Sequence, residues 1–303
     1  MNPSALRGIL ALIGCCTIWG LSAIFYAELA VVPPLEVLCH RSLWSLVFFG
    51  VLLAVQGRIA EVKQAFQGRR QIWLLLIASV LISGNWFGFI YSVANGYAVE
   101  ASLGYYIFPL VAVMLGAVVL GERLGRLHLV AVALAAVAVA TLGIGLGVAP
   151  WIAFWLAGTF SLYGLIKKQI TLGPVVSVTA EVLLIAPFAL GYLVLNGSAD
   201  HSPYIWALLI VSGVLTGFPL FLFSYAAKRV TMGTFGVVQY LNPTLQFFVA
   251  ALILNEAVTL WHGIAFPMIW VALGLYSYAV YAQDRTSRRL ASSAGTSGTI
   301  DTN

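Results

Sequence analysis

The chain has 303 residues, of which 61% are apolar and only 8% charged, where an ordinary soluble domain carries about 25% charged residues. So few charges cannot clothe a water-facing surface, which excludes a soluble globular protein and makes lipid the main solvent. The net charge of +5 does not imply nucleic acid as a partner, because the basic residues sit in short clusters between apolar runs, where orientation signals belong.

Arg7 and the apolar stretch to Ala23, with Leu12-Ile13-Gly14-Cys15 inside it, have the look of a cleaved leader with a lipoprotein box. Further apolar runs follow, and the first has an internal counterpart, so it reads as a membrane helix. A bilayer core about 30 Å thick takes about 20 apolar residues per helix. Runs of that length predict ten helices, over 7–27, 35–55, 71–94, 100–120, 127–147, 150–168, 175–195, 204–226, 232–254 and 262–282. The fold class is therefore an all-α integral membrane protein of ten transmembrane helices. The tail 283–303 is rich in Ser, Thr and Gly and is expected to be disordered. Cys15, Cys16 and Cys39 lie inside apolar runs without framework spacing, so neither disulfides nor a metal centre is expected, and no cofactor is called for.

With ten spans, Arg7, Arg58, Lys63, Arg69, Arg70, Arg123, Arg126, Lys167, Lys168, Lys228, Arg229, Arg285, Arg288 and Arg289 all fall on one side. The positive-inside rule then places both termini in the cytoplasm.

The chain also repeats itself. Pro109, Glu122 and His128 recur at a constant offset of 134 as Pro243, Glu256 and His262, and Tyr106 recurs as Tyr240. Trp19-Gly20-Leu21 is echoed by Tyr163-Gly164-Leu165. The units are 1–147 and 148–282. Five spans per unit make the two insert in opposite senses, and such inverted repeats carry a substrate site near the midplane between them.

Arg41 is the basic residue outside the clusters. It lies two turns inside the second span, roughly 10 Å deep at 1.5 Å per residue. A charge there costs about 2.5–3.5 kcal/mol on insertion scales and calls for a polar interior. Substrate binding stands beside a structural tie to backbone carbonyls. Glu181 follows Pro174 by seven residues, as Arg41 follows Pro34. Buried in the seventh span, it must be protonated or paired, and is a candidate ion-coupling group alongside a purely structural hydrogen bond. Glu100 is a second acidic candidate nearer the outer face.

Gln239, Asn242 and Gln246 share one face of the ninth span. Pro243 frees the Gln239 carbonyl and Pro109 the Tyr105 carbonyl, so these prolines are expected to break their helices in a symmetric pair. Asn85, Phe89 and Ser92 share a face of the third span, with Trp86 beside it. Gly84, Gly88, Gly213 and Gly217 have the spacing of close helix packing. Glu122, Glu256, His128 and His262, at helix ends, read as caps and interface residues. No metalloprotease, Ser or Asp protease or channel-filter motif is present, so no catalytic residue is assigned.

Several segments carry a family resemblance. They include His40-Arg41-Ser42-Leu43-Trp44-Ser45, Gly84-Asn85-Trp86, Glu100-Ala101-Ser102-Leu103-Gly104-Tyr105-Tyr106 with Pro109-Leu110, and Leu120-Gly121-Glu122-Arg123. In the second unit they are Phe160-Ser161-Leu162-Tyr163-Gly164-Leu165 with Lys167-Lys168, and Gln239-Tyr240 with Pro243-Thr244-Leu245. Over about residues 5–282 the chain resembles the RarD branch of EamA-type transporters, in the drug/metabolite transporter superfamily. Phe108 and Asn255 depart from the pattern. The resemblance implies two EamA repeats, the bacterial inner membrane and export of small molecules such as amino acids or drug-like amphipathic compounds.

Together these readings describe a secondary transporter, not an enzyme, working by alternating access as a monomer or homodimer. Arg41 would hold an anionic group, with Asn85, Trp86, Tyr105, Gln239 and Asn242 lining the cavity. The rivals are a lipid-carrier flippase, which needs a lateral opening, and a membrane-embedded transferase, which needs an acid/base cluster at one interface.

Overall fold

Inside a bilayer no water is at hand for backbone N–H and C=O groups, so an apolar run satisfies them within itself by becoming a helix. The computed structural model describes residues 3–120, 125–146, 150–197, 200–227, 229–230 and 238–296, and all regular structure among them is helical. In chain order the helices are α1 (Pro3–Glu28), α2 (Pro34–Val55), α3 (Ile59–Ala65), α4 (Arg69–Ala94), α5 (Ala98–Leu120), α6 (Arg126–Leu146), α7 (Trp151–Gln169), α8 (Pro174–Asn196), α9 (Pro203–Ala227), α10 (Leu241–Phe248) and α11 (Leu260–Thr296). A π-helical turn, Val249–Ile253, continues α10. Prolines open α2, α8 and α9, where their missing N–H costs nothing and their fixed φ suits the first turn.

Among the described residues, α1, α2, α4, α6, α8, α9 and α11 are long and apolar enough to cross a membrane; Ala98–Ala112 and Leu241–Ile253 are shorter apolar stretches. Their outward faces carry bare apolar side chains such as Val55, Ile144 and Val194, each more than four-fifths exposed. Such a surface fits lipid and no other solvent.

The helices follow the hydropathy, with four differences. First, α3 is an added short helix on the loop between α2 and α4, held by a bidentate Arg58–Glu61 pair and seated on Leu75, Ala78, Ile170 and Ala180 through the buried Ala65. Second, α11 runs on to Thr296, so the stretch from 283 to 296 that was expected to be disordered is helical. It contains no proline, and no glycine before Gly295, to stop a helix already under way.

Third, Pro109 does not break α5, which passes through it from Ala98 to Leu120. A membrane helix tolerates an interior proline because neighbouring groups take up the freed backbone. Fourth, α10 starts only at Leu241, with Pro243 in its first turn; Tyr240 before it is a turn residue whose backbone stays right-handed helical (φ −67°, ψ −12°). The first part of the expected ninth span, 231–237, lies outside the described residues, as do Glu122, Arg123 and Lys228.

One apolar core threads all the long helices. The main pairings set α5 on α7, α6 on α11, and α2 on both α8 and α9. Glycines make the closest of them possible. A Cβ on Gly213 would collide with the Trp44 backbone, and one on Gly217 with the Phe48 ring. The small-residue spacing in α9 therefore serves helix packing, as does Gly88, which receives Trp155.

Candidate functional site

Arg41 lies on the second turn of α2 at 6% exposure. Its guanidinium carbon stands 4.5 Å from the Trp86 ring centroid and 5.3 Å from that of Tyr26. Trp86 comes from α4 and Tyr26 from the last turn of α1. Phe89 and Tyr105 extend the aromatic wall: Tyr26 meets Phe89 edge-on at 5.9 Å, Phe89 meets Tyr105 at 6.0 Å, and Tyr105 meets Phe160 of α7 at 6.2 Å.

Asn85 fixes the polar side of this group. Its amide donates to the Leu156 carbonyl (2.9 Å) and to Thr159 Oγ1 (3.0 Å), both on α7, while its Oδ1 accepts the Tyr105 hydroxyl (3.0 Å). Those bonds use both Asn85 N–H donors and the Tyr105 proton and leave acceptor lone pairs on the two oxygens. Arg41 Nε is buried without a hydrogen-bond partner, while the buried Tyr26 hydroxyl meets Thr216. Among the described residues, no carboxylate comes within ion-pair range of Arg41. With Nε unpartnered, the planar guanidinium keeps the fork geometry that matches two adjacent oxygens of an anion.

The structure thus brings together Arg41, Asn85, Trp86 and Tyr105 with Phe89 of the same helix face, and adds Tyr26 and Thr159, which the sequence did not single out. Gln239 and Asn242 stand apart. Asn242 Oδ1 accepts from Gln246 Nε2 (3.0 Å), and the Asn242 carbonyl approaches Gly20 of α1. Helical spacing told which face these residues share, not which neighbour that face meets.

Glu181 belongs to another group. Its Oε1 accepts from Lys167 Nζ at 2.6 Å and from Ser177 Oγ at 2.7 Å, its Oε2 from the Tyr163 hydroxyl at 3.0 Å, and Lys167 also donates to Ser177. The glutamate side chain is 1% exposed and the lysine 23%. The partner of the buried acid is therefore Lys167, counted from sequence as a loop charge, and not Arg41.

At the opposite helix ends, Glu36 Oε1 meets His201 Nε2 at 2.7 Å, and His40 and His201 both set their rings edge-on to Trp206. Glu256 takes the Ala98 N–H (2.7 Å) and Val99 N–H (2.8 Å) of α5, the cap the sequence suggested. Burial pushes this carboxyl above its ordinary value, partly offset by the two amides. Glu100 lies in the same first turn of α5, where the helix dipole favours an acid. His262 accepts the Thr259 N–H at the start of α11, and His128 stacks edge-on to Tyr276.

A groove of about 650 Å³ lies between α5, α6 and the start of α7, lined by Ile107, Leu110, Val132, Ala135, Val139 and Phe154 among others. It is apolar and lies apart from Arg41.

The sequence matches the EamA-like transporter family over residues 6–144 and again over 147–278. Protein RarD of Escherichia coli (strain K12) is 36% identical over 93% of this chain and 98% of its own length. Protein RarD of Streptomyces exfoliatus is 38% identical over 95% and 94%. The uncharacterized transporter YojE of Bacillus subtilis (strain 168) is 37% identical over 89% and 93%. A crystal structure with 19% identity superposes at a TM-score of 0.61, covering 90% of this chain and 96% of that one, a likeness of fold alone. With these matches along nearly its whole length, this multi-span membrane protein belongs to the EamA-like transporter family and to its RarD group of drug/metabolite transporters.

Proposed function

We propose that the protein is a secondary transporter that moves small solutes across the bacterial inner membrane by alternating access, with net flux outward. The observation that carries this reading is Arg41, a buried cation with an unsatisfied edge, held between aromatic rings where α1, α2, α4, α5 and α7 converge. A charge kept in a membrane interior without a protein counter-ion is expensive, and it persists where it handles a ligand.

In this reading the ten spans form two units, 1–147 and 148–282, inserted in opposite senses. α10 and its π-helical turn belong to the ninth span, and both termini lie in the cytoplasm. The separate family matches to residues 6–144 and 147–278 support the division. Arg41, Asn85, Trp86 and Tyr105 form the substrate site. Gln239 and Asn242, which flank Tyr240, join the cavity in another state of the cycle. Glu181 and Glu100 are the ion-coupling candidates.

The test is transport by the Arg41→Lys protein in liposomes. Lysine keeps the charge and loses the planar fork, so flux should fall at least about tenfold while the protein stays folded and inserted. Full flux in this variant would return Arg41 to a structural role. The apolar groove beside α5 favours a second reading, a lipid-carrier flippase with a lateral opening. Scrambling of a labelled polyprenyl lipid, with no flux of water-soluble solutes, would select it.

A further inference from the structure

Resting on the transport reading above, we infer that the Arg41 site takes flat monocarboxylates and rejects α-amino acids. The guanidinium carbon stands 4.5 Å from the Trp86 ring centroid and 5.3 Å from that of Tyr26, so aromatic rings flank it and its N–H edge is the part a ligand can engage by hydrogen bonds. Nε is buried without a partner on that edge. Nε and the neighbouring Nη form one of the two forks that match a carboxylate in the guanidinium plane. The Tyr26 ring, 5.3 Å from the guanidinium carbon, flanks the same edge. Phe89 and Tyr105 continue the wall and suit an unsaturated or aromatic body.

The exclusion of an ammonium comes from the acids. Among the described residues, no carboxylate is paired with Arg41; Glu28 accepts the Tyr204 hydroxyl and Glu61 is paired with Arg58. Glu181 is held by Lys167, Ser177 and Tyr163. Glu36 is held by His201, and Glu256 by two α5 amides. Glu100 precedes Tyr105 by five residues, about 7.5 Å along the helix at 1.5 Å per residue. An ammonium one carbon from the bound carboxylate would then have no carboxylate among the described residues to pair with beside Arg41. It would be buried unpaired, as would the second charge of a dicarboxylate. One uncompensated cation sets a ligand charge of minus one.

Three ligands that share a ring and chain length separate the possibilities: phenylpropionate, phenylalanine and phenylethylamine. Their binding to the purified full-length protein is read by tryptophan emission, which Trp86 reports from beside Arg41, and by calorimetry. Phenylpropionate should bind about 10- to 100-fold more tightly than phenylalanine, the cost of burying one unpaired polar group, and phenylethylamine should bind weakest. This comparison needs no substitution. Arg41→Gln should then abolish the preference, by emission and by calorimetry alike. Phenylalanine binding as tightly as phenylpropionate overturns the inference and leaves the transport reading standing, since counterflow in liposomes tests that separately. Wild-type affinity for phenylpropionate in Arg41→Gln, or binding of none of the three, overturns it as well.

Discussion

Lys167 reaches from the last turn of α7 to Glu181 on α8, Nζ to Oε1 at 2.6 Å, and the two ends of this bond live in different surroundings. The lysine is 23% exposed and the glutamate 1%. Removing either partner is therefore not symmetric. Lys167→Met strands a buried carboxylate and should cost about 3 kcal/mol, because an unpaired buried charge must be neutralised or hydrated. Glu181→Gln keeps one accepting oxygen for Ser177 or Tyr163, lets its N–H donate to the other hydroxyl once that turns to accept, and lets the lysine turn to water, so the loss should be about 1 kcal/mol. Thermal unfolding in one detergent orders the two variants, and the reverse order would refute the buried pair.

The same glutamate separates coupling from scaffolding. If a proton travels on Glu181, Glu181→Gln loses accumulation driven by a pH gradient and keeps counterflow exchange at equal pH. Loss of both assigns it to binding or folding, and retention of both sends the proton elsewhere.

Orientation follows from chemical access. Asn95 and Asp200 are exposed at the helix ends opposite the basic clusters, and the native cysteines are free and buried. Single cysteines at these two positions should react with an impermeant thiol reagent in intact cells. Gly96, though adjacent, has φ near +75°, which a side chain would strain. Labelling only after lysis would reverse the topology.

Gly213→Ala presses a methyl group into the Trp44 backbone, which cannot swing aside. A cost of about 2–3 kcal/mol is expected. Gly217→Ala meets the Phe48 ring, which can turn, so it should cost less. Gly158→Ala, with open space around it, should be neutral or slightly stabilising. Relative melting temperatures decide this order.

Glu256→Ala frees two α5 amides and should cost about 1–2 kcal/mol. The folded state holds the Glu256 proton more tightly than the unfolded chain. Its carboxyl therefore favours folding below the ordinary carboxylate value, and that contribution fades as pH rises through the raised one. Glu256→Gln, neutral at all pH, should flatten the stability profile just above that ordinary value.

Class and spans were legible because a bilayer imposes length and polarity at once: a run such as Arg126–Leu146 has no other stable fate. Arg41 stood out because depth alone made it costly. Its stacking on Trp86 did not, since that contact depends on how α2 crosses α4, which no local pattern records. Lys167 was misplaced for a related reason. A basic residue at a helix end counts as a loop charge in sequence, while a four-carbon stem lets it turn inward to a neighbour 14 residues away. The tail was misjudged from composition, because Ser and Thr weaken a helix without stopping one that already has a core-bound start.

The bond between Glu256 and the start of α5 joins residues 158 positions apart. At about 5–20 residues per second, the ribosome needs roughly 10–30 s to travel that distance. Through that interval the newborn α5 has two amides waiting for an acceptor that has not been made. Biogenesis of the first five helices therefore ends only with the arrival of the last loop, and a nascent chain halted before Glu256 should be a better target for membrane quality-control proteases than one halted just after it.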